Sequence, residues 1–309
     1  MAPFRVPFPL FFLLLAVAHA QPGSYRISPR VAEEAEVLEQ NAGKIVTQET
    51  LEQRALMPPT RFRPRLGSRG EQASGPRFRV RRVLSEFSFG ALRTSASQNL
   101  IEYRQTVAVD GRPLQTTDSA LRALSQGIQI GDDRVRKRML EEFANNGLVD
   151  IATDYALILL TFTSRGQQQI EFAPVGEGYV GTDAARAFSW KQSSAQGGVL
   201  EFHGPQTARR ALQGTLWLRA SDGLPLRVIA WTEYTDQASQ RIRDDATVEY
   251  VMSSHGFLTP ASVIHHHRVN GDLMTENLYL YEPFKLFSTS SFIKFGDIPD
   301  ATPPGPIKK

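Results

Sequence analysis

The sequence predicts an α+β protein built on one strongly curved antiparallel sheet, a half-barrel with an N-terminal helix and further capping helices. Three observations predict it. Apolar residues recur with period two over nearly all of the chain after Gln167, helical spacing is confined to segments before that point, and tight-turn dipeptides such as Asp222-Gly223 and Asn270-Gly271 join neighbouring strands. Helices set apart from a run of hairpin-linked strands define α+β rather than the alternating order of a parallel fold.

The first element is a leader. Arg5 gives a positive start, Leu10 to Val17 an apolar run, and Ala18-His19-Ala20 the small residues of a cleavage site after Ala20. Eight apolar residues are too few to span a bilayer, which takes roughly 20. The mature chain is therefore expected to be soluble and outside the cytoplasm, in the periplasm if the host is Gram-negative. The 309 residues contain no cysteine, which excludes disulfides, thiolate zinc sites, iron–sulfur clusters and a cysteine nucleophile. Net charge is +3, falling to +2 once Arg5 leaves with the leader. That lacks the concentrated basic face of a nucleic-acid binder, so no nucleic-acid partner is expected.

Residues 21–57 are expected to form an N-terminal helix. Ser28-Pro29 supplies an N-cap and a first-turn proline, acids follow at Glu33, Glu34 and Glu36, and Val31, Ala35, Leu38, Ala42 and Ile45 fall on one helical face. Pro58-Pro59 would end it near Leu56. Residues 58–77 hold four Pro, three Gly and five Arg against one Glu, a composition that cannot bury enough apolar area to order itself. They read as a basic linker able to touch an anionic membrane surface transiently. The main domain, 78–296, opens with strands at Arg79–Phe89 and Leu100–Val109, the second reaching a turn at Asp110-Gly111. A helical insertion near 117–160 follows, with helices around Thr117–Gly127 and Asp132–Asn146 and a buried apolar run, Tyr155–Phe162. From Gln167 the chain is read as strands to Ser290–Phe295, and the proline-rich tail 297–309 as extended or disordered.

A sheet of this length with one apolar face must curl on itself or be capped, and a curled sheet offers a mouth to a hydrophobic ligand. Leu226, Val228, Val248 and Tyr250, with Leu278 and Leu280, are the residues expected to line that face. On this view Val228→Arg would block uptake of a fluorescent fatty acid and leave the fold intact.

Particular segments then carry a family likeness. The leader, the N-terminal helix, the hairpin reaching Val109-Asp110-Gly111-Arg112-Pro113, and Gly214-Thr215-Leu216-Trp217-Leu218-Arg219 followed by Asp222-Gly223-Leu224-Pro225-Leu226-Arg227 resemble the LolA/LolB-like carriers of bacterial envelopes. The segment from Asn277 to Phe295 is similar to their last strands. The likeness spans roughly residues 78 to 296 and implies a LolA-like unclosed barrel with a helical lid, holding the acyl chain of a lipid or lipoprotein. The likeness is closer still to uncharacterised secreted proteins of this type that carry an extra N-terminal helix, and this chain departs from the carriers in its greater length and its basic linker.

Other constellations read as structural. Gly176-Glu177-Gly178-Tyr179-Val180-Gly181 matches G-x-G-x-x-G but lacks the strand–loop–long-helix setting of a dinucleotide site, so it reads as a hairpin loop. His265 and His267 share one face of a strand and His266 the other. Two imidazoles are short of the three or four ligands zinc needs, even with His203 and His255 available, so the pair reads as structural and no cofactor is expected. There is no G-x-S-x-G elbow, no H-E-x-x-H and no phosphate loop. Trp190, Trp217, Trp231, Tyr250, Tyr279 and Tyr281 fall in strands as cross-strand packing partners. The sequence thus points to a non-enzymatic, periplasmic binder of a lipid or lipoprotein acyl chain. The alternative is an envelope sensory or scaffold module that contacts another protein through the same sheet, with helix and linker as docking arm.

Overall fold

A computed structural model describes residues 27–58, 75–92, 99–195, 199–203 and 206–287. The leader, most of the linker, the strand expected at Ser290–Phe295 and the tail lie outside them. The chain begins with helix α1 (Pro29–Asn41), whose stripe Val31, Ala35 and Leu38 is fully buried. Ser28 precedes α1, but its side chain makes no capping bond.

The helix does not run to Leu56. A 3-10 turn, Ala42–Lys44, ends it, and Ile45–Leu56 is strand β1. The periodicity misled because Ala42 and Ile45 are buried beyond the helix as well. Thereafter burial follows period two through Ile45, Thr47, Glu49, Leu51, Gln53 and Ala55, three of them polar, so a buried strand looks hydrophilic in sequence. Pairing on both sides, with β2 (Phe78–Leu92) and β14 (Asp272–Tyr281), satisfies the β1 backbone in two ladders and outweighs helical propensity.

β3 (Asn99–Val109) and the short β4 (Arg112–Pro113) continue from β2, with Asp110 and Gly111 at φ 50 and 77 in the turn between them. Helices α2 (Thr117–Ile130) and α3 (Asp133–Asn145) come next. Thr116 caps α2 by accepting from the Ser119 N–H, and Gly131, at φ 58, ends it. The strand β5 (Ile151–Thr153) leads into Tyr155–Phe162, a 3-10 helix. The remaining strands are β6 (Ile170–Val180), β7 (Asp183–Gln192), β8 (Leu200–His203), β9 (Gln206–Arg209), β10 (Gln213–Arg219), β11 (Pro225–Thr235), β12 (Arg241–Met252), β13 (Leu258–Val269) and β15 (Lys285–Leu286).

The main sheet runs β4-β3-β2-β1-β14-β13-β12-β11-β10-β7-β6, with β15 beside β1, and every pairing is antiparallel. β5, β8 and β9 make a second, three-stranded sheet. The main sheet is open: among the described residues β4 and β6 do not pair, and it curves as a half-barrel. The expected hairpins are present, with Gly223 at φ 75 and Asn270 and Gly271 at φ 52 and 94. The G-x-G-x-x-G segment differs in detail. Gly176 to Val180 belong to β6, a bulge at Pro174–Gly176 shifts the register, and only Gly181 and Thr182 form the turn to β7.

Two cores flank the sheet. On the inner face α1, α3 and Tyr155–Phe162 pack against β1, β2 and β10 to β14. On the outer face α2 packs over β2 and β3 through Leu124, Ile101 and Tyr103. Gly90 lets α2 approach, since a Cβ there would lie 2.8 Å from Tyr103 Cε2 and 2.9 Å from Ile128 Cγ2. No described helix is long and apolar enough to cross a membrane.

Candidate functional site

The inner face of the sheet is the candidate site, and the chain itself covers it. Tyr155-Ala156-Leu157-Ile158-Leu159-Leu160-Thr161-Phe162 lies against β3, β12 and β13, with all but Leu160 and Thr161 buried. Asp154, in the left-handed region at φ 71, turns the chain inward. Its carboxylate accepts from the Glu102 N–H at 3.2 Å and from Arg209 at 2.7 Å. The Ala156 N–H donates to Glu102 Oε1 at 2.8 Å, and the Leu159 N–H to the Tyr250 hydroxyl at 3.1 Å. A short 3-10 run leaves several N–H groups without partners of its own, and side chains of the sheet supply them here. Phe162 closes the far end in an edge-on contact with Trp190, ring centroids 5.2 Å apart.

Of the residues expected to line a hollow, Leu226, Val228, Val248 and Tyr250 do face inward, and they are buried in the same core as this plug. Leu278 and Leu280 stand on the opposite face, with Leu280 49% exposed, because β14 turns Thr275, Asn277 and Tyr279 inward instead. A one-residue offset in a strand exchanges faces. The inner face is packed rather than spacious, and Val228, 0% exposed, is a core residue. Val228→Arg would therefore bury an unpaired charge and break the fold, so it is not the clean probe expected.

A polar tier that sequence reasoning missed runs beneath the plug. Arg104 is held by Glu49 through Nε at 2.7 Å and by Glu102 through Nη1 at 2.7 Å, and lies over the rings of Phe87 and Tyr279. Burial works against its charge, but the two carboxylates outweigh it and hold Arg104 above its ordinary range. Burial raises Glu102, against the pull of Arg104. The only sequence signal was the alternation of charge with apolar residues in Glu102-Tyr103-Arg104, which reads equally as a solvated face.

Further along the same face, Asp244 lies between two of the noted histidines. His267 Nδ1 is 2.7 Å from Asp244 Oδ1 and His265 Nε2 is 3.5 Å from it, while His265 Nδ1 meets Asn277 Nδ2 at 3.1 Å. Burial would raise Asp244, but hydrogen bonds to both histidines reverse this and hold it well below the usual carboxylate range. His266 faces outward between Asp245 and Glu276. His255 sits on the turn before β13 against the Phe284 carbonyl, and His203 ends β8. Among the described residues no three His, Cys, Asp or Glu side chains are placed to hold a metal ion. His267, Arg210 and Tyr234 border a groove of about 500 Å³ at this end of the sheet. Tyr234 is pushed up to about 12 by burial and by Asp244 and Glu201.

No protein-family model matches the chain, and no curated protein matches it. Among solved structures it is similar in fold to a LolA superfamily protein from Nitrosomonas europaea, at 10% identity and TM-score 0.30, over 89% of this chain and 96% of that one. It is similar also to a putative outer membrane lipoprotein-sorting protein domain from Vibrio parahaemolyticus, at 10% identity and TM-score 0.32, over 86% and 95%. The MucB of a Pseudomonas aeruginosa MucA/MucB complex matches at 10% identity and TM-score 0.17, over 84% and 99%. Likeness at these scores assigns no function, which has to come from the chain's own geometry.

Proposed function

We propose that the protein binds an acyl chain of a lipid or lipoprotein on the inner face of its sheet, without catalysis, the chain taking the place of Tyr155–Phe162. The observation that carries this reading is the plug itself: eight consecutive residues without a charge, in a 3-10 form rarely sustained over such a length, lodged on an open sheet. Besides Tyr155, its four wholly apolar large inward residues, Leu157, Ile158, Leu159 and Phe162, each contribute about 1.5–3 kcal/mol by burial, so water alone will not draw them out. An acyl chain offsets that cost at about 0.8 kcal/mol per methylene, so roughly eight to fifteen carbons replace the plug. The leader supports work in the periplasm after cleavage near Ala20.

The test uses the absence of native cysteine. Ala156→Cys places a single thiol in the plug at a site 0% exposed in the parent. Maleimide labelling should be slow in the free protein and accelerate at least tenfold with saturating laurate or lysophosphatidylcholine, while a fluorescent dodecanoate binds saturably to the parent. No saturable binding, or binding with the thiol still protected, rules out this reading.

A further inference from the structure

The open edge of the sheet at β6 carries a second site, beside the far end of the plug, where Phe162 lies 6.1 Å from Phe172 between ring centroids. A groove of about 590 Å³ lies between α1 and the start of β6, its apolar walls formed by Ile27, Ala32, Ile170 and Phe172. β6 is the last strand of its sheet and pairs only with β7 among the described residues, so its outer row of backbone N–H and C=O groups faces away from the sheet. The same strand bears the two most exposed large apolar side chains of the described residues other than Leu286, Val175 at 63% and Tyr179 at 72%. Pro174 and the bulge beside it shorten the edge but leave Ile170 to Ala173 as a regular row next to the groove.

We infer that this edge binds an extended peptide segment of a partner protein, which adds as a strand to β6 and sends alternate apolar side chains into the groove under α1. Two features select that occupant. A row of backbone donors and acceptors is matched by another backbone and not by a lipid tail. The charged residues among those lining the groove are Glu33 and Glu36, both acidic, with Glu33 exposed, so the flanking positions of the peptide are basic. Glu36 accepts from the Ser164 N–H at 3.1 Å, which ties the loop before β6 to α1 at the groove. On the outer side Glu171 stands across from Lys191, so the charge preference arises at the α1 wall.

The probe is a fluorescein-labelled nonapeptide alternating Lys and Val, titrated into the full chain and followed by anisotropy. Two control peptides carry Glu for Lys, or Pro at the central Val positions. The Lys peptide should bind at least tenfold more tightly than either control. Gln168→Trp fills the groove from its exposed rim and should weaken binding at least tenfold with an unchanged melting temperature. Glu33→Lys should weaken the Lys peptide and strengthen the Glu peptide. A chain lacking residues 1–26 should bind the Lys peptide as the full chain does. Equal binding of all three peptides, indifference to Gln168→Trp, or binding that appears only after residues 1–26 are removed overturns the proposal. The peptides are titrated into the lipid-free chain, so that loss of peptide binding and loss of dodecanoate binding are read independently.

Discussion

At the level of single residues, the inner face depends on charges that are buried and paired. Removing one partner of such a pair is far more damaging than the pair is stabilising, because the other charge then has neither water nor counter-ion. Asp244 makes the point measurable. Its carboxyl titrates below its ordinary 3.8 when folded, through the hydrogen bonds of His265 and His267 that overcome burial. A depressed carboxyl contributes stability that is present above the unfolded value and lost as pH falls through the folded one. Asp244→Asn should therefore cost about 1.5–3 kcal/mol at pH 7, the range for hydrogen bonds to a charged group. The difference from the parent should shrink steadily below about pH 4, as urea denaturation at a series of pH values will read. A constant difference from pH 7 to pH 2 would place the effect elsewhere.

Among the elements, the decisive one is Tyr155–Phe162. Its eight residues have the length and composition of a buried strand, yet they form no ladder. Sheet side chains take over the hydrogen bonds of its N–H groups at Ala156 and Leu159. Because the plug and an acyl chain compete for one face, weakening the plug has opposite effects on two measurements. Leu159→Ala, at a position 0% exposed, should lower stability by about 2–5 kcal/mol and tighten dodecanoate binding. Loss of both stability and affinity would show that Leu159 belongs to the ligand's surface and not to its competitor. The N-terminal segment illustrates how an element is misjudged. Val31, Ala35 and Leu38 were legible as a helix stripe, whereas the strand that follows hides three polar side chains in the core, Thr47, Glu49 and Gln53, which only a cross-strand partner explains.

At the scale of the whole molecule, the open sheet is joined in its middle by strands far apart in the chain. β1 pairs with β14, so Leu51 lies opposite Tyr279, and Gln53 bonds Asn277 at 2.7 Å across 224 residues of chain. The hairpins from β11 to β14 are local, but the β1–β14 ladder must wait for a long loop to close. Refolding from urea should take milliseconds to seconds, and pulsed hydrogen exchange should protect β12 and β13 before β1. Simultaneous protection of β1 with β12 would mean that the ends meet first.

The sequence by itself determined the α+β class, the hairpins at Asp110-Gly111, Asp222-Gly223 and Asn270-Gly271, helices α2 and α3, and the inward side of β11 and β12. Those features rest on turn chemistry and on periodicity, both of which are local. Where β1 belongs, which face of β14 looks inward, and what fills the half-barrel were decided only by the tertiary structure. The face of a strand flips with a shift of one residue, and a buried Glu or Arg looks the same in sequence as a solvated one until Arg104 is seen between Glu49 and Glu102. Filling is a matter of volume between distant elements. The apolar run at Tyr155 was visible in the sequence, but its docking on β12 and β13, some ninety residues further along, was not.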